Sequence, residues 1–332
     1  MNPMDLIELL KGHICYIQTH NFPDPDALAS AFGLKNFLRA HGVDTQICYD
    51  GKIDKLSTKK MIDVFNMDIL SADQIHHMKE KDYIVTVDSQ KYNANLTDFV
   101  GNEVACIDHH PTYIPCEYAY SDIRITGACA SIIAEYFMST GTYIDEVTAA
   151  ALAYGIKMDT ADFIRGVTDL DIDMFAYVYK RADTELIKTM YTNTMEFEDL
   201  KAYGAAIDNI HIYDGTGFAM IPFDCPDALI AIISDFILSL DVVMVSVIYA
   251  IRSDGIKFSV RSVIKSVNAG NMISMALKGI GSGGGHSTMA GGFIPKENVE
   301  ALGEDINYEI ETRFLNEIQR ENTKIENYVK KN

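Results

Sequence analysis

Short apolar runs recur along the first half of the chain, and each is followed by a polar loop and then by a segment with helical spacing. Residues 14–18 form such a run. It ends in the polar string THNFPDPD and gives way to ALASAFGLKNFLRAHG, whose apolar positions recur at helical intervals and whose Gly42 suits a helix end. Residues 45–49, 83–87 and 103–107 read as further short buried strands, with helical character between them at 58–65. Residues 127–158 read as two helices, ACASIIAEYFMST and EVTAAALAYGIKM, broken at Gly141, and further helices are expected at 170–180 and 184–191. Strands alternating with helices predict an α/β fold with a mainly parallel sheet flanked by helices.

The pattern changes after residue 190. The polar stretch NTMEFEDLKAYGAA reads as a connector, and strands are then expected at 207–213, 218–221, 242–251 and 255–262, with a helix at 227–240. A glycine-rich loop, GIGSGGGHSTMAGG, precedes a closing helix at 297–321. The expected organisation is a first domain at 1–190, a linker at 191–205, a smaller C-terminal α/β domain at 206–325 across a cleft, and a frayed tail at 326–332.

A length of 332 residues agrees with two domains, because one core rarely grows so large. With 48% hydrophobic and 23% charged residues the chain has an ordinary globular balance. Charge narrows the partners. The formal net charge of −19, from 28 basic and 47 acidic residues, repels long duplex nucleic acid and anionic membranes. A short phosphorylated ligand stays open, because metal ions can dominate the local potential of a site. The six cysteines form no CxxC pair and read as reduced and structural. The apolar stretches at 228–240 and 242–251 are short and interrupted by Ser234, Asp235 and Asp241, and the opening MNPMDLIELLKGH does not read as a signal peptide. A cytoplasmic protein is expected.

Parallel sheets bind ligands beyond the carboxyl ends of their strands. There the chain has HNFPDPD after the first run, VDS after 83–87 and IDHH after 103–107. Taken singly each motif is bland. Asp-rich loops before helices usually turn or cap, and Asp26 could cap a helix starting at Ala27. Together with Asp159 in GIKMDTADF, however, they bring imidazole and carboxylate ligands of the kind that suit manganese, iron or zinc, without thiolates. Their number fits two ions with one carboxylate shared. Two such ions, about 3.5–4 Å apart, bind a phosphoryl oxygen and acidify a bridging water, which is the chemistry of phosphoester hydrolysis.

The ordered motifs HNFPDPDALAS, VTVDSQ, IDHH and MDTADF resemble those of the DHH phosphoesterase superfamily, and GSGGGHSTMAGG resembles the GGGH motif of its associated C-terminal domain. The resemblance implies one metal on His20, Asp24 and Asp88, and a second on Asp26, Asp88, His109 and Asp159. Asp88 would bridge, His110 would act on the substrate, and Asp108 would support the imidazoles. In the second domain it implies a substrate-binding role for Gly283, Gly284, Gly285 and His286, and for Arg261 and Ser262 in KFSVRS. Read from the residues alone, GSGGG is a flexible turn and Arg261 a solvated strand residue. Two departures stand out: Pro25 replaces a common glycine, and Arg165 falls one place later than the arginine often found there, which leaves its role open.

These readings converge on a phosphodiesterase or phosphatase that uses two divalent ions, manganese first and magnesium or cobalt as alternatives. Its expected substrates are short oligoribonucleotides, linear dinucleotides or pAp, as in nanoRNases. The acidic surface disfavours a processive RecJ-type exonuclease. The alternatives are an exopolyphosphatase or inorganic pyrophosphatase and, from another class, a catalytically inactive nucleotide-binding regulator. A homodimer remains open.

Overall fold

The computed structural model describes residues 2–53 and 55–329, with side chains through Arg320. The chain divides into two compact units, residues 1–194 and 195–332.

The first unit runs through α1 (Pro3–Leu10), β1 (Cys15–Thr19), α2 (Pro25–Ala40), β2 (Thr45–Tyr49), α3 (Leu56–Val64), β3 (Ile69–Ser71), β4 (Tyr83–Val87), β5 (Asn102–Asp108), β6 (Tyr120–Ile123), α4 (Cys129–Thr140), α5 (Glu146–Asp159), α6 (Asp169–Tyr179) and α7 (Thr184–Met190). The sheet order is β3-β2-β1-β4-β5-β6, and every pairing is parallel. The expected parallel α/β fold is therefore present, with β3 and β6 added as edge strands too short for a sequence pattern to mark. Strand order reverses between the neighbours β1 and β4. That reversal opens a crevice at their carboxyl ends.

All five residues of β1 are buried, as a central parallel strand covered on both faces requires. Ile17, Val85, Val87 and Ile107 on the sheet join Leu34, Phe37, Ile133 and Leu152 on the helices in one core. Helices α2 and α5 approach closely because each has a glycine where they meet. A Cβ on Gly155 would lie 2.5 Å from Ala29 Cβ, and one on Gly33 would lie 2.8 Å from Leu152 Cδ2.

The second unit contains α8 (Asp199–Asp208), β7 (His211–Tyr213), β8 (Thr216–Ile221), α9 (Asp227–Leu238), β9 (Val245–Arg252), β10 (Gly255–Ser262), α10 (Ala269–Ala276), β11 (Ser282–Gly285), β12 (Met289–Pro295), α11 (Lys296–Val299) and α12 (Ile306–Val329). Its sheet order is β11-β12-β10-β9-β8-β7, antiparallel except for the β8/β9 pair.

Four local expectations change. Helix α8 lies where a connector was expected, because Ala202 and Ala206 form a small buried stripe among acidic neighbours. The glycine-rich loop is largely a hairpin, with 282–285 paired to 290–293. The closing helix starts at Ile306 rather than at 297, since Gly303 adopts a left-handed φ of 76° that breaks the chain between α11 and α12. Helix α12 continues to Val329 through part of the expected tail, and residues 330–332 lie outside the described residues.

Candidate metal centre

His20 follows β1 directly. Its Nδ1 donates to Asn21 O at 2.8 Å, which commits that nitrogen to a proton and leaves the Nε2 lone pair free. Asp24, not Asp26, caps α2: its Oδ1 accepts from the amides of Asp26 and Ala27, both at 3.0 Å. Pro25 then occupies the first helical position, where a missing N–H costs nothing. Asp26, one residue further on, is buried and turned away from its own helix. It accepts instead from the first amides of α4, Cys129 N at 2.7 Å and Ala130 N at 2.9 Å.

Asp88 follows β4 directly, with a left-handed φ of 58° and its amide bonded to Ile107 O, a conformation that aspartate tolerates better than most residues. Its carboxylate is buried. Oδ2 lies 3.6 Å from His20 Nε2, and Oδ1 lies 3.2 Å from His109 Nε2. His109, after β5, donates Nδ1 to Thr126 O at 3.0 Å. Its Nε2 also faces Asp159 Oδ2 at 3.3 Å and Asp26 Oδ2 at 3.9 Å. Asp159 is delivered by the last turn of α5.

These side chains, with His110, form three donor groups: His20 with Asp24 and Asp88, Asp26 with His109 and Asp159, and Asp88 with His109 and His110. In each, the candidate ligand atoms lie within 4.8 Å of one another. Donors about 2.0–2.2 Å from a common ion stand roughly 3–3.6 Å apart, close to the spacing found. Asp88 Oδ1 is also a buried oxygen with no well-aligned hydrogen bond, with only the His109 imidazole 3.2 Å away to balance its charge. The donor set fits divalent cations.

Electrostatics point the same way. Burial works against charge on His20, but Asp24 and Asp88 outweigh it and raise the imidazole to about 11. Asp88 and Asp26 do the same for His109, also to about 11. Burial pushes Asp26 well up, with Asp88 adding to the effect, and burial raises Asp159 too. Asp88 itself is held below the usual carboxylate range, because the two imidazoles overcome its burial. Without cations, the cluster gathers protons.

A second layer of contacts was only partly foreseen. Asp108 is fully buried and accepts from His109 N at 2.8 Å, His110 Nδ1 at 2.9 Å and Gln90 Nε2 at 2.7 Å. Gln90 also donates to His110 O at 3.1 Å. Sequence reasoning missed Gln90, because a buried glutamine carries no pattern of its own. Arg165 donates Nη2 to Asp159 O at 2.7 Å and to Asp159 Oδ1 at 3.1 Å, holding the carboxylate whose other oxygen faces His109.

The remaining expected residues lie in the second unit. Arg261 on β10 donates Nε to Asp235 Oδ1 at 2.6 Å and Nη1 to Ser259 Oγ at 3.0 Å. Ser262, next along the strand, points to the opposite face, where its hydroxyl is buried and donates to Ile264 O. The two side chains therefore do not share a face. Gly283, Gly284 and Gly285 belong to edge strand β11. His286 follows, with its amide donating to Met289 O and its carbonyl accepting from Gly270 N.

The DHH family N-terminal domain matches residues 14–156 and the DHHA1 domain matches residues 215–312. The chain belongs to the DHH phosphoesterase superfamily. It is 29% identical over 281 residues to the uncharacterized protein MJ1633 of Methanocaldococcus jannaschii, covering 84% of this chain and 57% of that protein. It is 26% identical over 333 residues to the cyclic-di-AMP phosphodiesterase GdpP of Bacillus subtilis, covering 92% of this chain and 48% of that one. The chain thus spans about half the length of these curated relatives. Its fold is similar to that of an exopolyphosphatase-related protein from Bacteroides fragilis, with a TM-score of 0.70 at 18% identity over 96% of this chain and 94% of the other. Among the described residues no helix is long and apolar enough to cross a membrane.

Proposed function

We propose that the protein is a phosphoesterase that works with two divalent metal ions and hydrolyses small nucleotides, namely short oligoribonucleotides, linear dinucleotides or pAp. The observation that carries this reading is the Asp88 carboxylate, with one oxygen turned to the His20 group and the other to the His109 group. His20, Asp24 and Asp88 would hold one ion, and Asp26, Asp88, His109 and Asp159 the other. When bound, the ions supply Lewis acidity toward a phosphoryl oxygen and a nucleophilic water at neutral pH. Oxygen and imidazole donors favour manganese, with magnesium or cobalt as alternatives.

The chain's own groups orient and protonate. Asp108 fixes His110 through Nδ1 and raises its pKa despite partial burial. Nε2 of the half-exposed ring is then left to donate to a phosphate oxygen or to the leaving oxygen. In the second unit, Arg261 and those backbone amides of 283–285 not engaged with β12 would bind substrate phosphate. Arg261, largely buried, now pairs with the exposed Asp235, which a substrate phosphate would have to displace.

A substrate of limited length agrees with the charge of −19. Kinship to GdpP supports dinucleotides as the first substrates to try, whereas the likeness to the exopolyphosphatase-related structure speaks to the fold alone. The test is turnover by manganese-loaded protein of a diribonucleotide, pAp, the linear dinucleotide pApA, pyrophosphate and polyphosphate. Hydrolysis of one or more nucleotides is expected. Hydrolysis of only the two inorganic substrates would replace this reading with the polyphosphatase one, and no turnover with metal bound would favour a nucleotide-binding regulator.

A further inference from the structure

Phe22 stands two residues after His20 and two before Asp24, on the loop that presents both. Its φ of 56° puts an aromatic residue in the left-handed region, where bulky side chains are outliers that persist only when their surroundings enforce them. The surroundings do so here. Its amide donates to Asp50 O at 3.0 Å, and the Asn21 amide donates to Asn95 O at 2.6 Å. The Asn21 side chain exchanges hydrogen bonds with Thr97, whose hydroxyl in turn donates to Asp50 Oδ2 at 2.6 Å.

All this bracing leaves the ring exposed. Phe22 is 63% exposed, with one side against Gly51, so close that a Cβ there would lie 2.7 Å from the ring Cε1. The strained backbone is therefore not offset by burial of the side chain. Tyr92, on the loop after the neighbouring strand β4, shares the left-handed backbone with a φ of 71°, but the Lys91 ammonium already stands 5.5 Å from its ring centre. Among the described residues no cation stands over the Phe22 ring, which lies on the loop between His20 and Asp24.

We propose that Phe22 is a stacking platform for a nucleobase of the substrate. The proposal rests on the nucleotide reading above and adds the part of the substrate that is not phosphate. A flat ring braced on one side and open on the other accepts any base, since every base has a π-face. The platform should demand a base without choosing which.

The test compares pApA with an analogue of the same backbone lacking both bases, using manganese-loaded full-length protein. Phe22→Asn removes the ring and keeps the turn, because asparagine accepts a left-handed φ, and Phe22→Tyr keeps a ring. Wild type should favour pApA. In Phe22→Asn the preference, as a ratio of kcat/KM values, should fall roughly 5- to 100-fold, mostly through KM, and Phe22→Tyr should retain it. An unchanged ratio in a folded, active Phe22→Asn protein would overturn the platform while leaving the nucleotide reading intact. A wild type that hydrolyses neither compound, nor a diribonucleotide or pAp, would overturn the nucleotide reading, and the platform with it.

Discussion

Oδ1 of Asp88 lies 3.2 Å from Nε2 of His109, yet it is a buried oxygen with no well-aligned hydrogen bond. The two atoms face each other at the spacing of neighbouring ligands, and Oδ2 of the same carboxylate faces His20 in a like manner. The left-handed backbone at Asp88 aims both oxygens beyond the strand end, and such strain is stored where a side chain must be presented.

Replacing this residue tests the two-ion assignment directly. Asp88→Ala should reduce turnover by more than about a hundredfold, because loss of even a supporting contact to a metal ligand typically costs 10- to 100-fold. Manganese stoichiometry by elemental analysis should fall from two per chain. Near-normal turnover with two ions retained would refute a shared ligand.

Metal binding should depend on pH in a definite direction. In the metal-free protein His20 and His109 titrate at about 11 instead of the ordinary 6.5. The stability their charges contribute is complete below 6.5 and is lost as pH rises through about 11. A manganese ion held on these imidazoles would require the unprotonated rings, so its binding would expel protons. The rise in Tm on adding manganese should therefore grow from about pH 6 to about pH 8.5, and calorimetry in buffers of different ionisation enthalpy should register proton release. A rise in Tm that is flat across this range would contradict the assignment of either imidazole.

Gln90 links the Asp108 carboxylate to the His110 carbonyl and so fixes the turn that carries both histidines. In Gln90→Leu, Asp108 loses a buried donor, which should lower stability by about 1–3 kcal/mol. With His110 less firmly oriented, kcat should fall roughly 10- to 100-fold while KM and manganese content change little. Steady-state kinetics paired with metal analysis separates this outcome from simple loss of the ion.

After Asp159 three consecutive residues without the freedom of glycine, Ala161, Asp162 and Phe163, have φ of 47°, 56° and 66°. Ala161→Gly should relieve about 1–2 kcal/mol of left-handed strain against about 0.4–1 kcal/mol of added freedom in the unfolded chain. The net gain is about 0–1.6 kcal/mol, which thermal or urea unfolding would register as a higher midpoint; a lower midpoint would mean that the turn is not strained.

The candidate site was more legible in the sequence than the contacts around it. Strand-end motifs are local, and HNFPDPD, VDS and IDHH advertise themselves by following buried runs at 15–19, 83–87 and 102–108. Asp26 shows where such reading stops. Its apparent role as a helix cap belongs to Asp24, and its actual partners are the amides of Cys129 and Ala130, more than a hundred residues away. The GGGH segment failed for another reason, since glycines in an edge strand carry no side-chain alternation and read as a loop although 282–285 pair with β12. Helix α8 was hidden because its buried stripe is only Ala202 and Ala206.

Packing one helical turn from two of the candidate ligands sets the distance between them, since a Cβ on Gly155 would also lie 3.4 Å from Asp26 Oδ1. Gly155 lies one helical turn before Asp159 on α5 and meets Ala29 on α2, three residues after Asp26, at a separation that leaves no room for a methyl group. Gly155→Ala would force α5 away from α2 and carry Asp159 away from Asp26, at an overpacking cost of about 1–3 kcal/mol. The expected result is a folded but less stable protein that loses the ion held by Asp26, His109 and Asp159 before the one held by His20 and Asp24. Calorimetric titration with manganese should then resolve one weakened site and one preserved site. If both sites weakened equally, Asp88 would have to transmit the shift, and if neither changed, the close approach of α2 and α5 would be irrelevant to the metal centre.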